Sequence, residues 1–174
     1  MTRIGRWLIS GLLLVVIGAP AAESTHLAVL DFELNDLTLD PGTPEELERT
    51  ASLRPLLEQA LIERPGLSLV QIPSTSQQAA DRGVGYLFEH PEAAAELAAT
   101  SGADYVVVGR LHKPSFLFAY LMAHLVDVRS GRVVGDYVVE VKGAQPALTQ
   151  RGVEALAEDI GGTLQLSAVE ERAG

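Results

Sequence analysis

Cysteine is missing from all 174 residues. That single absence excludes disulfides, thiolate metal sites, thiol nucleophiles and lipid attachment through cysteine. Basic residues are scarce as well: 13 Lys plus Arg stand against 23 Asp plus Glu, a net charge of −10. A chain so acidic repels phosphate backbones and anionic lipid, so nucleic acid is not an expected partner. Nor is there a run of the roughly 20 apolar residues that a bilayer-spanning helix needs. What is present is a 47% hydrophobic composition, enough for one packed domain and too much for wholesale disorder.

The first residues read as an export signal. Arg3 and Arg6 precede an apolar stretch from Trp7 to Ile17, and Gly18-Ala19-Pro20-Ala21 supplies the small residues of an A-x-A cleavage site. Residues 1–21 are therefore expected to be a cleaved secretory signal, and 22–174 a single domain with an ordered core of about 26–167. No lipobox cysteine follows, so the expected destination is the periplasm, without stable membrane insertion after cleavage.

Along the domain, apolar runs and punctuation alternate. Leu27 to Phe32 (LAVLDF) has the pattern of a buried parallel strand. Thr43-Pro44-Glu45-Glu46 marks a helix start, with Leu47, Leu53, Leu57 and Leu61 near helical spacing. Pro55 inside that span predicts a kink or a later start near Ser52. Leu67 to Ile72 gives a second strand, Ser74 to Gly85 a polar loop with about one helical turn, and Pro91 to Thr100 an alanine-rich helix ended by Gly102. Asp104 to Leu111, Phe116 to Val128 and Val133 to Val141 read as three further strands, the last two joined by the turn at Arg129-Ser130-Gly131. An amphipathic helix from Pro146 to about Leu166 closes the domain, followed by a charged, mobile tail from Val169. The fold class that results is α/β (α+β): a small sandwich with a mixed five-stranded sheet, two helical crossovers, a C-terminal antiparallel meander and a final helix.

Several clusters invite chemistry and fail the test for it. Asp31, Glu33, Asp36 and Asp40 resemble a cation loop, but Asp36 stands where a calcium loop needs Gly and Gly42 where it needs a bidentate Glu. The stretch is expected to be a solvated loop. Lys113 and Ser115 lie close in sequence, yet no G-x-S-x-G elbow or S-x-x-K pattern supports a nucleophile, and Pro114 holds Lys113 extended. His26, His90, His112 and His124 are too dispersed for a local metal site. His124, inside an apolar alternation, reads as a core or interface histidine. Gly83-x-Gly85 lacks the third glycine and the preceding strand of a dinucleotide fingerprint. No metal and no cofactor is expected.

One binding surface is expected instead. Arg110, His112, Lys113 and Ser115 make a local basic spot, suited to a carboxylate or an acidic partner loop. The following strand is apolar on both faces, with Leu117, Ala119, Leu121, Ala123 and Leu125 on one and Phe118, Tyr120, Met122, His124 and Val126 on the other. Both must be covered. Either the C-terminal helix packs Leu156 and Ile160 over the Phe118 face, or that face meets a partner, with homodimerisation as one outcome. Phe118 and Tyr120 join the expected binding set on this ground.

The string GADYVVVGRLHKPSFLFAYLMAHLVDVRSGRVVGDYVVEVKG from Gly102, with LAVLDFEL and PGLSLVQI upstream, resembles an exported bacterial family, domain of unknown function 3280, and its sibling 2380. The pieces that carry the resemblance are Gly102-Ala103-Asp104, Gly109, Lys113-x-Ser115, Asp127 with Gly131, and Lys142-Gly143. In outline it is also similar to the N-terminal domain of TolB and to curli-secretion and penicillin-binding-protein activator lipoproteins. That likeness implies a non-enzymatic binding or assembly role beside another envelope protein. The alternative it leaves open is a small-ligand carrier or small hydrolase linked to a quinoprotein oxidation system. Many relatives carry a cysteine pair shortly before the GAD strand, which this chain lacks.

Overall fold

The expected first strand is interrupted, and the interruption organises one edge of the sheet. A computed structural model describes residues 24–173, so the signal expected at residues 1–21 lies outside the described residues. Strand β1 (Thr25–Val29) stops, and β2 (Glu33–Asp36) resumes along the same neighbour. Between them Phe32 turns inward and lays its ring against Gly109, where any Cβ would fall inside the ring. Breaking a strand exposes backbone polar groups that need partners. The Gln77 side chain supplies them, accepting from the Asp31 N–H at 2.7 Å and donating to the Asp31 carbonyl at 2.9 Å.

Helix α1 (Pro44–Ile62) starts where Thr43 accepts the Glu46 N–H, with Pro44 in the first turn. It runs unbroken through Pro55, so the expected restart near Ser52 does not occur. Its buried stripe is Leu53, Leu57 and Leu61; Leu47, expected in that stripe, is 54% exposed. Strand β3 (Leu67–Val70) follows. The polar stretch after it holds more helix than expected: α2 (Ser74–Ala80) and α3 (Tyr86–Glu89) precede α4 (Pro91–Ala99). Then come β4 (Tyr105–Lys113), β5 (Phe118–Asp127), β6 (Arg132–Lys142) and α5 (Pro146–Ala173). The last helix thus continues through the segment expected to be a mobile tail. No described helix is long and apolar enough to cross a membrane.

The sheet order is β3-β1-β4-β5-β6, with β2 also on β4. Pairing is parallel for β1–β3, β1–β4 and β2–β4, and antiparallel through the β4–β5–β6 meander. Five strand positions therefore hold six strands. The two crossovers place α1 on one face and α2 to α4 on the other, and α5 returns to the α1 side. One core joins Leu53, Leu57, Leu156 and Ile160 to Val107, Leu121 and Leu125. The second joins Leu87, Phe88, Ala94 and Ala98 to Val106, Val108 and Val126.

The Phe32–Gly109 contact yields a prediction. Gly109→Ala should destabilise the protein by about 1–3 kcal/mol through overpacking, and Phe32→Leu added to it should recover part of the loss because the two sites couple. Urea unfolding of the three variants measures both.

Candidate functional site

The functional candidates gather at the end of the sheet where β2 and β4 finish side by side. Asp36 pairs with Lys113 in the ladder, and the Leu37 N–H donates to the Lys113 carbonyl at 2.9 Å. The Lys113 side chain does not reach solvent. The residue is 6% exposed, and its Nζ lies 3.0 Å from Glu46 Oε1 and 3.6 Å from Asp36 Oδ2. Glu46 Oε2 in turn receives Arg49 Nη1 at 3.4 Å, while Arg49 Nε donates to Thr149 Oγ1 at 3.0 Å and Nη2 to the Gly143 carbonyl at 3.3 Å. Two acids and two bases neutralise one another beneath the surface, tying β2, β4, α1 and the start of α5 together. Burial pushes the Asp36 carboxyl up, but the Thr38 hydroxyl and N–H, the Gly42 N–H and the Lys113 charge outweigh it, so its pKa lies below the ordinary value.

Arg110 points to the opposite face, and it too is engaged. Its Nε pairs with Glu33 Oε1, its Nη1 lies 3.3 Å from Glu89 Oε1, and its guanidinium stands 4.2 Å over the Phe88 ring. Glu33 also accepts the Gly85 N–H at 2.6 Å. Gly85 has φ +86°, and a Cβ there would come within 3.0 Å of Arg110 Nη2, so glycine answers both demands. The pair fastens α3 to the sheet.

These partners correct two expectations. The acidic stretch is not a solvated loop, because Asp31, Glu33 and Asp36 pair with Arg54, Arg110 and Lys113 respectively. The basic spot, for the same reason, presents neither Arg110 nor Lys113 as a free charge. Among the described residues no group of His, Asp and Glu is arranged to hold a metal ion. The Ser115 hydroxyl accepts the Leu117 and Phe118 N–H groups at 3.3 Å each and shapes the β4–β5 turn. His112 stacks across the ladder on Tyr120 at 6.4 Å. His124 rests on Phe88 at 4.1 Å, with Asp136 Oδ1 3.4 Å from its Nδ1.

What remains uncovered is apolar. Two neighbouring loops, one after β2 and one after β4, expose Leu39 (97%) and Leu117 (70%), along with Leu37 and Phe116. Phe118 continues this patch onto the sheet, where Tyr120 and Met122 are half-buried and Val138 of β6 is exposed. Helix α5 does not cover them. Leu156 and Ile160 pack against the Leu121 and Leu125 face instead, and α3 and α4 pack chiefly on β4, with α4 reaching Val126 and Met122 of β5. Exposed apolar positions at loop tips give little sequence signal, so Leu37, Leu39 and Phe116 were not anticipated. Two shallow depressions lie elsewhere, about 410 Å³ around Arg54 and about 260 Å³ between α1 and α5.

Residues 25–160 match the family model DUF3280, described as a protein of unknown function (DUF2380). The chain belongs to the DUF3280 family. Among curated proteins none matches it. Among solved structures, the PelC dodecamer from Paraburkholderia phytofirmans is 17% identical with a TM-score of 0.53, covering 84% of this chain and 91% of that one. LpoB from Escherichia coli, determined by NMR, is 16% identical with a TM-score of 0.50, covering 82% and 80%. TolB from Acinetobacter baumannii is 16% identical with a TM-score of 0.47, covering 81% of this chain and 28% of that one. At these identities the likeness is one of fold.

The residues that carry the DUF3280 resemblance have structural duties here. Gly102 ends α4 at φ +73°, and Asp104 accepts the His26 N–H at 2.7 Å. Asp127 accepts the Ser130 N–H at 2.7 Å in the turn completed by Gly131. Gly143, at φ +90°, offers its carbonyl to Arg49.

Removing one member of the buried cluster should be costly. Lys113→Met leaves Asp36 and Glu46 buried against one remaining cation, and a loss of about 3–5 kcal/mol is expected in denaturant unfolding. Acid acts through Asp36. Its folded-state pKa is depressed, so its contribution is complete above the unfolded value of about 3.9 and fades as pH falls through the lower folded value. Asp36→Asn should therefore flatten the stability curve below about pH 4, as thermal melts across pH 2–6 can check.

Proposed function

We propose that this protein is a non-enzymatic binding or assembly component of the bacterial cell envelope, exported to the periplasm, that docks another envelope protein. The observation that carries the reading is the apolar patch on the loops after β2 and β4 and on the adjoining sheet face. Leu37, Leu39, Phe116, Leu117 and Phe118 lie on neighbouring elements, each substantially exposed. Large apolar side chains left exposed on neighbouring elements are candidates for an interaction site. Within the patch Phe118 and Tyr120 supply contact area, with His112 and Ser115 at its polar border. Arg110 and Lys113 serve it from beneath, holding β4 and its turn in position through their ion pairs. The PelC dodecamer and the other structural relatives support the reading as proteins of the same fold.

Capture from envelope extracts tests it. Immobilised protein is expected to retain a specific partner, and Leu117→Ser with Phe118→Ser should lose it while circular dichroism and thermal midpoint stay close to the parent. A screen of ester, peptide and glycoside substrates forms the opposing arm. Turnover by the pure protein, abolished in Ser115→Ala, would overturn the proposal, as would partner capture indifferent to both apolar substitutions.

A further inference from the structure

Strand β6 ends the sheet, and its outer edge carries the longest unpaired backbone ladder among the described residues. It is 11 residues long, against four for β3 at the other edge. No backbone hydrogen bond from residues 132–142 to any element besides β5 occurs among the described residues. Edges of this length template pairing with a further strand unless they are blocked. The one irregularity is the register shift opposite Leu125 and Val126, which makes Val134 an extra residue and leaves residues 135–142 as a regular stretch.

We infer that β6 pairs antiparallel with β6 of a second copy of this chain, about a two-fold axis at Val139. The side chains select the register. Asp136, Val138, Glu140 and Lys142 share the face of Phe118, Tyr120, Met122 and His124, their ladder partners, while Tyr137, Val139 and Val141 share the α5 face. A two-fold pairing must keep each face continuous, so the axis falls on a residue. With the axis at Val138, Asp136 lies opposite Glu140 twice; at Glu140, two glutamates meet; at Tyr137, Asp136 faces Val138 with no opposite charge; and at Val141, Glu140 meets Lys142 but only residues 140–142 of the strand are paired. At Val139, Asp136 of each copy lies opposite Lys142 of the other, Tyr137 opposite Val141, and Val139 opposite itself. Opposite charges directly across a ladder stabilise it and like charges oppose it, while aromatic and β-branched pairs add to the apolar side.

The helical layer accommodates this arrangement. Gly152 of α5 lies against both Val141 and Leu121, so the helix sits astride β5 and β6. Ordinary strand spacing across the axis would place the two α5 helices about 10 Å apart, a normal packing distance. The pairing stands independently of the proposed docking patch, and it would join the two open faces into one.

Sedimentation equilibrium of the full protein, with charge reversal, tests the register. Asp136→Lys and Lys142→Asp should each weaken the dimer at least about tenfold, since two attractive pairs become repulsive, and the double swap should restore it. Because the chain has no other thiol, Val139→Cys oxidised by added diamide should give a covalent dimer. A monomeric parent at 50 μM, a dimer unmoved by both reversals, or a double swap that fails to restore association would overturn the inference. So would a dimer abolished by Phe118→Ser yet indifferent to the reversals. Loss of partner capture in the loop variants with the dimer intact would leave the pairing standing, so the two proposals fail separately.

Discussion

Everything at the end of the sheet where β2 and β4 finish depends on one buried electroneutral cluster, formed by Asp36, Glu46, Arg49 and Lys113. Its members come from β2, α1 and β4, and Arg49 extends it to α5 through Thr149 and to the preceding turn through Gly143. The desolvation of four ions consumes much of what their attraction returns, so the intact cluster is a poor source of net stability. What it determines is geometry. Lys113 can satisfy both carboxylates only when β2 ends level with β4 and the first turn of α1 closes over them. The loops that follow β2 and β4 are thereby held side by side, which is the condition for a contiguous apolar patch.

The parallel strand order, the helical crossovers and the antiparallel meander were legible because each rests on local chemistry: β-branched runs, a Pro-led helix start, a glycine after α4 and the Arg129-Ser130-Gly131 turn. The break between β1 and β2 was not. LAVLDFELND reads as one strand running into a polar loop, and only the tertiary partners, Phe32 on Gly109 and Gln77 on the Asp31 backbone, reveal two strands with an inserted corner. Pro55 does not restart the helix, for a related reason. Tertiary packing of Leu53, Leu57 and Leu61 outweighs the one intrahelical bond that the proline removes.

The electrostatics of the candidate site were not legible in the sequence. The junction from Arg110 to Ser115 was expected to be a free basic spot, but a basic residue and its acidic partner 77 residues apart in sequence carry no sign that they pair. The alternation of side chains along β4 also divides the basic spot: Lys113 goes to the α1 and α5 side, while Arg110 goes to the α3 side. Charges that looked available to a partner are consumed by the fold, and the residues left exposed beside them are apolar.

That division explains the unequal covering of the two sheet faces. The α1 and α5 layer spans the sheet from β1 to β6, because the 28-residue α5 runs back along the meander. The opposite layer is built from α2, α3 and α4, of seven, four and nine residues, and these short helices are anchored by Arg110 and Gln77 over the parallel half. On the meander's outer face Val126 is buried in that layer's core, Met122 packs against it and His124 lies on Phe88, while Phe118 and Val138 stay exposed. A domain of this length can close one face of a five-position sheet with a long helix, but it lacks the chain to close the other. The open face is thus a consequence of how the helical residues are apportioned, and any partner seated there completes a layer that the chain itself leaves half built.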